Sequence, residues 1–179
     1  MKKLYTISAF TENSPGVLHR ITVMFTRRKI NIESLTVCET EKENTSRFTI
    51  VIKAEEDLVR TIVKQINRII EVKAVYAYLD EDLIFKEIAF FRVKSETPED
   101  RSRVEQHAHW YGAKVVYAEP GSLVLEATGT ADEIKSLLRL LESHGVEEFI
   151  QSGRIAIAKH KNGSAECRRV ITAESEVLS

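Results

Sequence analysis

The spacing of apolar and polar positions changes period several times along the chain, and each change marks an element. Lys3–Phe10 alternates loosely, with Tyr5, Ile7 and Ala9 against Thr6 and Ser8, and reads as a half-buried strand. After the turn Asn13-Ser14-Pro15-Gly16 the period lengthens. Leu18, Ile21 and Phe25 recur at helical spacing, flanked by Val17 and Met24. Asn13 or Ser14 is placed to cap this helix, Pro15 to pre-set φ in its first turn, and Gly16 to let another group approach the backbone. The basic Arg27-Arg28-Lys29 complements the helix's negative end. Ile30–Val37 is a β-branched strand. The polar stretch Glu39–Ser46 connects it, as a long-looped hairpin, to Arg47–Lys53, with Phe48, Ile50 and Ile52 on one face. Acidic Glu55-Glu56-Asp57 opens a second helix along Leu58, Ile62, Ile66 and Ile69/Ile70, and Val72–Leu79 is a fourth strand.

Leu79-Asp80-Glu81-Asp82 breaks the pattern, and past it the same order recurs. Phe85–Lys94 is a strand. Thr97-Pro98-Glu99-Asp100 starts a helix with Val104, Ala108 and Tyr111 on its apolar edge and Gly112 as its stop. Ala113–Ala118 and Ser122–Ala127 flank the turn Glu119-Pro120-Gly121. A fourth helix follows Gly129-Thr130 along Ile134, Leu137, Leu138 and Leu141 to His144-Gly145, and Val146–Lys159 is a last strand interrupted at Ser152-Gly153. Two β-α-β-β-α-β units in tandem predict an α+β protein, with ferredoxin-like antiparallel sheets carrying helices on one face. The first unit spans residues 1–80 and the second 84–160. The mixed-charge stretch 161–179 is read as a mobile tail. Open sheet edges predict at least a dimer.

Composition narrows the class. A chain of 179 residues, 43 % hydrophobic and 30 % charged, has the make-up of a soluble globular protein of one or two domains. Its net charge of −1 supplies no overall field for nucleic acid or an anionic membrane. No apolar run approaches the roughly 20 residues that span a bilayer, and the first residues alternate where a signal peptide needs a continuous apolar core. Cys38 and Cys167 form neither a disulfide framework nor a metal motif. A reducing, cytoplasmic setting is expected.

Catalysis finds little support. His19, His107, His109, His144 and His160 fall mainly on helix surfaces and in the tail. His107 and His109 are two apart, whereas metal pairs on a helix need three or four. No nucleophile elbow, P-loop or zinc pattern is present. Arg27-Arg28-Lys29 has a helix-dipole explanation, and Arg168-Arg169 is flanked by acids. Arg47–Lys53 has only one aromatic, Phe48, where a sheet that stacks RNA bases needs several. Phe85, Phe90 and Phe91 read as core. No catalytic and no metal residue is therefore assigned, and neither nucleic acid nor membrane is expected as a partner.

The turn before the first helix is what remains. Taken alone, a capped helix start accounts for it. Combined with Asn31 opening the next strand, in a fold expected to present these ends together, it suggests a site for an amino acid. The amides of Gly16 and Val17 take the carboxylate there. Asn13 and Asn31 bond the ammonium or carboxylate, and an aliphatic side chain rests on Leu18 and Ile32, with Pro15 shaping the turn.

The stretches ENSPGVLHRI, FTRRKINIESLTV and TSRFTIVI resemble the small regulatory subunit of acetolactate synthase (acetohydroxyacid synthase), a member of the ACT family of amino-acid-binding domains. The likeness continues through Lys86-Glu87-Ile88, Gly129-Thr130 and Ser152-Gly153. It implies a subunit with no catalytic site of its own that dimerises through ACT domains. It implies, too, a large catalytic partner carrying thiamine diphosphate, magnesium and FAD, which the small subunit activates in branched-chain amino-acid biosynthesis. Feedback inhibition is then conferred by a branched-chain amino acid, usually valine, bound at the interface of paired domains with Asn13, Gly16 and Asn31 at matching positions. HAHWYG and the stretch beyond Lys159 depart from the family pattern. The alternative is a free-standing tandem ACT-type sensor controlling another enzyme or transcription. A metal sensor is disfavoured by the histidine spacing.

Overall fold

The computed structural model describes residues 1–160 and 171–172. The chain divides into two compact units, one of Met1–Ile84 joined by the chain from Ile155 on, the other of Phe85–Arg154.

The first unit runs β1 (Lys3–Glu12), α1 (Val17–Thr26), β2 (Ile32–Glu39), β3 (Thr45–Ala54), α2 (Glu56–Ile66) and β4 (Val72–Leu79). The second follows a 3-10 turn at Asp80–Asp82. It runs β5 (Leu83–Ser95), α3 (Pro98–Trp110), β6 (Lys114–Glu119), β7 (Gly121–Gly129), α4 (Ala131–Glu142) and β8 (Val146–Gln151). Two short strands follow, β9 (Ile155–Ala158) and β10 (Ile171–Thr172). The first sheet has the order β10-β4-β1-β3-β2, and the second includes β6-β7-β5-β8. Every pairing in the first sheet is antiparallel, and so are β5 with β7 and β8 and β6 with β7. This is the α+β architecture expected from the periodicity. Most of the stretch 161–179 lies outside the described residues. Ile171, however, is buried at the edge of the first sheet, opposite Ala77.

Each unit has its own core. In the first, Tyr5, Ile7 and Ala9 of β1 and Ile50 and Ile52 of β3 meet one face of each helix. On α1 that face is Val17, Ile21 and Phe25, at spacings of four, while Leu18 is 45 % exposed. The apolar stripe is thus rotated by one residue from the Leu18–Ile21–Phe25 line read from the sequence. Both spacings are helical, and contact with the sheet decides between them. The buried stripe of α2 is Val59, Ile62, Val63, Ile66, with Ile70 almost fully exposed. In the second unit Phe91, Leu123, Leu125, Ile134 and Leu137 fill the interior. Two residues assigned to it by pattern are displaced: Phe90 is on the opposite face of β5 from Phe91 and is exposed, as is Tyr111 beyond the end of α3. In a strand adjacent residues face opposite ways, so Phe90 and Phe91 cannot both be core.

Strand register fixes the ends of the first unit. Glu12 is opposite Thr45, and Ser46 is opposite Glu39, so the turn after β1 lies by the C-terminal end of β2. Ile32 is opposite Ile52, which is opposite Tyr5, so Asn31 lies at the far end. β2 is the edge strand.

Candidate functional site

The turn Asn13-Ser14-Pro15-Gly16 carries the chain from β1 into α1. Gly16 is the residue before the helix and has φ 87°, in the left-handed region where a side chain is strained. Nothing lies within 4 Å of where its Cβ would be. The expected cap is absent: no side chain bonds the first amides of α1. Asn13 Nδ2 donates instead to Glu39 Oε1, which ties the turn to the end of β2. Ser14 Oγ is buried and has no hydrogen-bond partner among the described residues. The first turn of α1 also holds no acidic residue. The positive end of the helix therefore faces an open turn with no acid in the first turn and no side chain on its first amides, the Glu39 carboxylate being engaged by Asn13, an arrangement suited to a carboxylate.

Of the other residues expected at the site, Val17 offers its backbone there while its side chain is in the core. Leu18 is exposed on the first turn, free to meet an apolar group. Asn31 and Ile32 are not near. They lie beyond the opposite end of α1, and that ten-residue helix alone is about 15 Å long. Asn31 Nδ2 donates to Glu33 Oε1 at 3.2 Å, and Ile32 packs against the core edge. One copy of the chain thus holds the Gly16 turn and Asn31 at opposite ends of one helix. This corrects the expectation that the fold presents them together: a crossover helix returns the chain along the full length of the strand it leaves, so its two ends cannot meet.

Sequence reasoning missed one constellation elsewhere. His107 Nδ1 lies 2.9 Å from His144 Nε2, joining the last turn of α3 to the residues after α4, with the Trp110 ring beside His107. Burial, then His107 and Arg103, push His144 below the ordinary imidazole value, and Asp100 opposes them weakly. The two histidines are 37 positions apart, beyond any local spacing rule. No group of three or more potential metal ligands occurs among the described residues, and no helix there is long and apolar enough to cross a membrane. Cys38 is a free, exposed thiol on β2.

Residues 7–74 match the family described as the AHAS small subunit-like ACT domain, and residues 86–160 match that described as the small subunit of acetolactate synthase. The acetolactate synthase small subunit of Mycobacterium bovis is 38 % identical over 161 residues, covering 90 % of this chain and 95 % of that one. The chain belongs to the acetolactate synthase small-subunit family. A probable small subunit of Archaeoglobus fulgidus is 34 % identical over 155 residues, covering 87 % and 96 % of the two chains. The crystal structure of the small subunit from Thermotoga maritima superposes with a TM-score of 0.80 at 28 % identity, over 88 % of this chain and 98 % of that one. The first unit of this small subunit is accordingly an ACT domain. The open turn at Gly16 falls within the matched residues, as does Asn31.

Proposed function

We propose that the chain is the regulatory subunit of an acetolactate synthase. On this reading it activates the catalytic subunit and transmits feedback inhibition by a branched-chain amino acid, valine in the first instance. The single observation that carries the reading is the unfilled N-terminal end of α1, with Gly16 open, no cap and Ser14 Oγ unsatisfied. The half-sites at the two ends of α1 then find a use. Two copies pairing antiparallel along β2 about a two-fold axis bring the Asn31 end of one against the Gly16 end of the other. The effector's carboxylate takes the amides at Gly16 and Val17, with Asn13 beside them. Asn31 and Ile32 of the second copy close over its ammonium group and aliphatic chain.

Such a ligand touches two copies at once, so its affinity depends on how they are arranged. A ligand that binds one arrangement better shifts the population toward it, and the catalytic partner senses the shift. Carbon–carbon bond formation stays on that partner with its thiamine diphosphate, magnesium and FAD. This chain contributes binding and conformational bias.

Calorimetry of the purified chain with valine, leucine and isoleucine, followed by assay of the large subunit with and without it, tests the reading. Binding is expected to weaken about tenfold in Asn13→Ala and in Asn31→Ala, with the fold intact. No heat from any of the three amino acids, with the dimer present, overturns it. Activity control of a different enzyme, with none of acetolactate synthase, would move the site to a free-standing sensor.

A further inference from the structure

The described arginines of the first unit divide into two sets. Arg20 is held by Glu71 and Arg60 by Glu56, while Arg47 donates to Ser8 Oγ at 3.0 Å and to the main-chain oxygen of Ala156. Arg27, Arg28 and Arg68 have no ion pair with any of the described residues. These three line one groove of about 520 Å³ together with Met24 and Gln65. Arg27 directly follows α1, and Arg68 lies two positions past α2. Arg28 Nη1 donates to Met24 O at 3.0 Å, which holds that guanidinium over the end of α1 and leaves its other N–H groups for a ligand.

The helix dipole explains a cation at each helix end. It does not explain why the cations of two helices line the same hollow, where like charges repel and no lining carboxylate offsets them. The lining is rich in donors: three planar guanidinium forks and one amide, against a single side-chain carbonyl and a thioether. Guanidinium forks match the paired oxygens of a phosphate, and three of them suit an anion of charge two or more. A free aliphatic amino acid, with one carboxylate and an ammonium group, does not fit such a lining.

We propose that this groove binds the phosphate or diphosphate group of a small metabolite, independently of the amino-acid site at Gly16. Arg27 and Arg68 grip the anion from two sides, Arg28 supplies the fixed donor, and Gln65 orients a bridging or ester oxygen. The chemistry is shared by inorganic phosphate, pyrophosphate and phosphate esters, so the test uses all three classes of probe.

The full-length protein is titrated calorimetrically with orthophosphate, pyrophosphate and ribose 5-phosphate, with sodium chloride at matched ionic strength as the control for screening. Saturable binding of one anion per chain is expected, pyrophosphate strongest among the inorganic ions. Tighter binding of ribose 5-phosphate than of orthophosphate would identify an ester as the natural form, and the reverse the free ion. Arg27→Gln and Arg68→Gln are each expected to weaken binding about tenfold. Lys135→Gln, an exposed cation on α4, leaves it unchanged, and all three variants keep the affinity for branched-chain amino acids. Absence of saturable binding in the millimolar range overturns the proposal, as does equal affinity in the arginine variants. So does a result in which the variants lose only their hold on the large subunit, which makes the groove a protein contact.

Discussion

The two units share one strand-and-helix order but differ in how their first helices start. In the second unit each helix is closed by its own chain. Thr97 Oγ1 accepts from the amide of Asp100 at 3.1 Å, with Pro98 in the first turn. Thr130 and Glu133 form a reciprocal capping box, the Glu133 carboxylate taking the Thr130 amide and the Glu133 amide reaching Thr130 Oγ1. In the first unit neither helix has a side-chain cap: α2 places Glu56 and Asp57 in its first turn, whereas α1 begins at a glycine with φ 87°, no acid and a buried Ser14 hydroxyl with no partner among the described residues. A cap contributes about 1 kcal/mol, so a helix left without one forgoes stability unless something else occupies its end. Among the described helices, α1 is the one whose start has neither a side-chain cap nor an acid in its first turn, which is the arrangement that leaves room for an anionic ligand.

The comparison breaks most visibly if the cores are not separate. Phe91 is fully buried and its ring centre lies 5.0 Å from that of Phe149. Phe91→Ala is expected to cost about 3–5 kcal/mol and to lower the melting of the second unit. Amino-acid binding by the first unit should persist below that transition. Loss of ligand heat in the folded variant would show that the second unit contributes to the site.

Next in size is Gly16→Asp, which puts a carboxylate at the open helix end. Amino-acid affinity is expected to fall more than tenfold, above about 1.4 kcal/mol. Gly16→Ala carries the same backbone strain, of order 1 kcal/mol, without the charge, and separates the two causes. If both variants lose equal affinity, backbone conformation and not anion competition governs the site.

How much of this was legible in the sequence depends on the range of the interaction. Period changes, the Thr97-Pro98 start and Gly112 as a stop are local and were readable. Gly112 has φ 66°, and α3 ends just before it. The order of strands followed from the order of elements. What failed was relational. Asn13 looked like a cap because residue type favours it there, yet Glu39, 26 positions away, claims its amide. Asn31 and Gly16 looked adjacent because they flank one helix, but a crossover places them at its two ends. The three unpaired arginines come from two segments some forty positions apart, and only the packing of α1 beside α2 brings them to one groove.

Deleting the same hydroxyl in the two units gives a smaller and sharper contrast. Thr130→Ala removes half of a capping box and is expected to cost about 1 kcal/mol, a drop of roughly 4–8 °C in the Tm of the second unit. Ser14→Ala removes a buried oxygen with no partner among the described residues and should leave Tm unchanged or slightly raised. Paired thermal melts without ligand decide it. An equal loss in both would mean that Ser14 does cap α1 in solution, and the distinction between filled and open helix ends would go.

The smallest expected effect concerns the imidazole pair. A hydrogen bond between two rings 2.9 Å apart requires at least one of them neutral. Burial, His107 and Arg103 hold His144 below its ordinary value, so the native state resists a proton that the unfolded chain accepts. The sign follows. Stability from this group is constant above about pH 6.5, declines as pH falls below it, and levels off once pH is under the native value. Lys94, Glu96, Asp100 and Arg103 line the same hollow as His144, and the exposure of the pair lets solvent screen much of the penalty. Wild type is therefore expected to lose only about 1–2 °C more than His144→Gln between about pH 7.5 and pH 5.5. Restricting the scan to that range keeps Glu133 ionised, because the Thr130 amide and Lys86 hold its carboxyl below the usual range. A larger loss in the variant would mean that His144 is protonated in the native state, and that Asp100 outweighs the burial and the neighbouring His107 and Arg103.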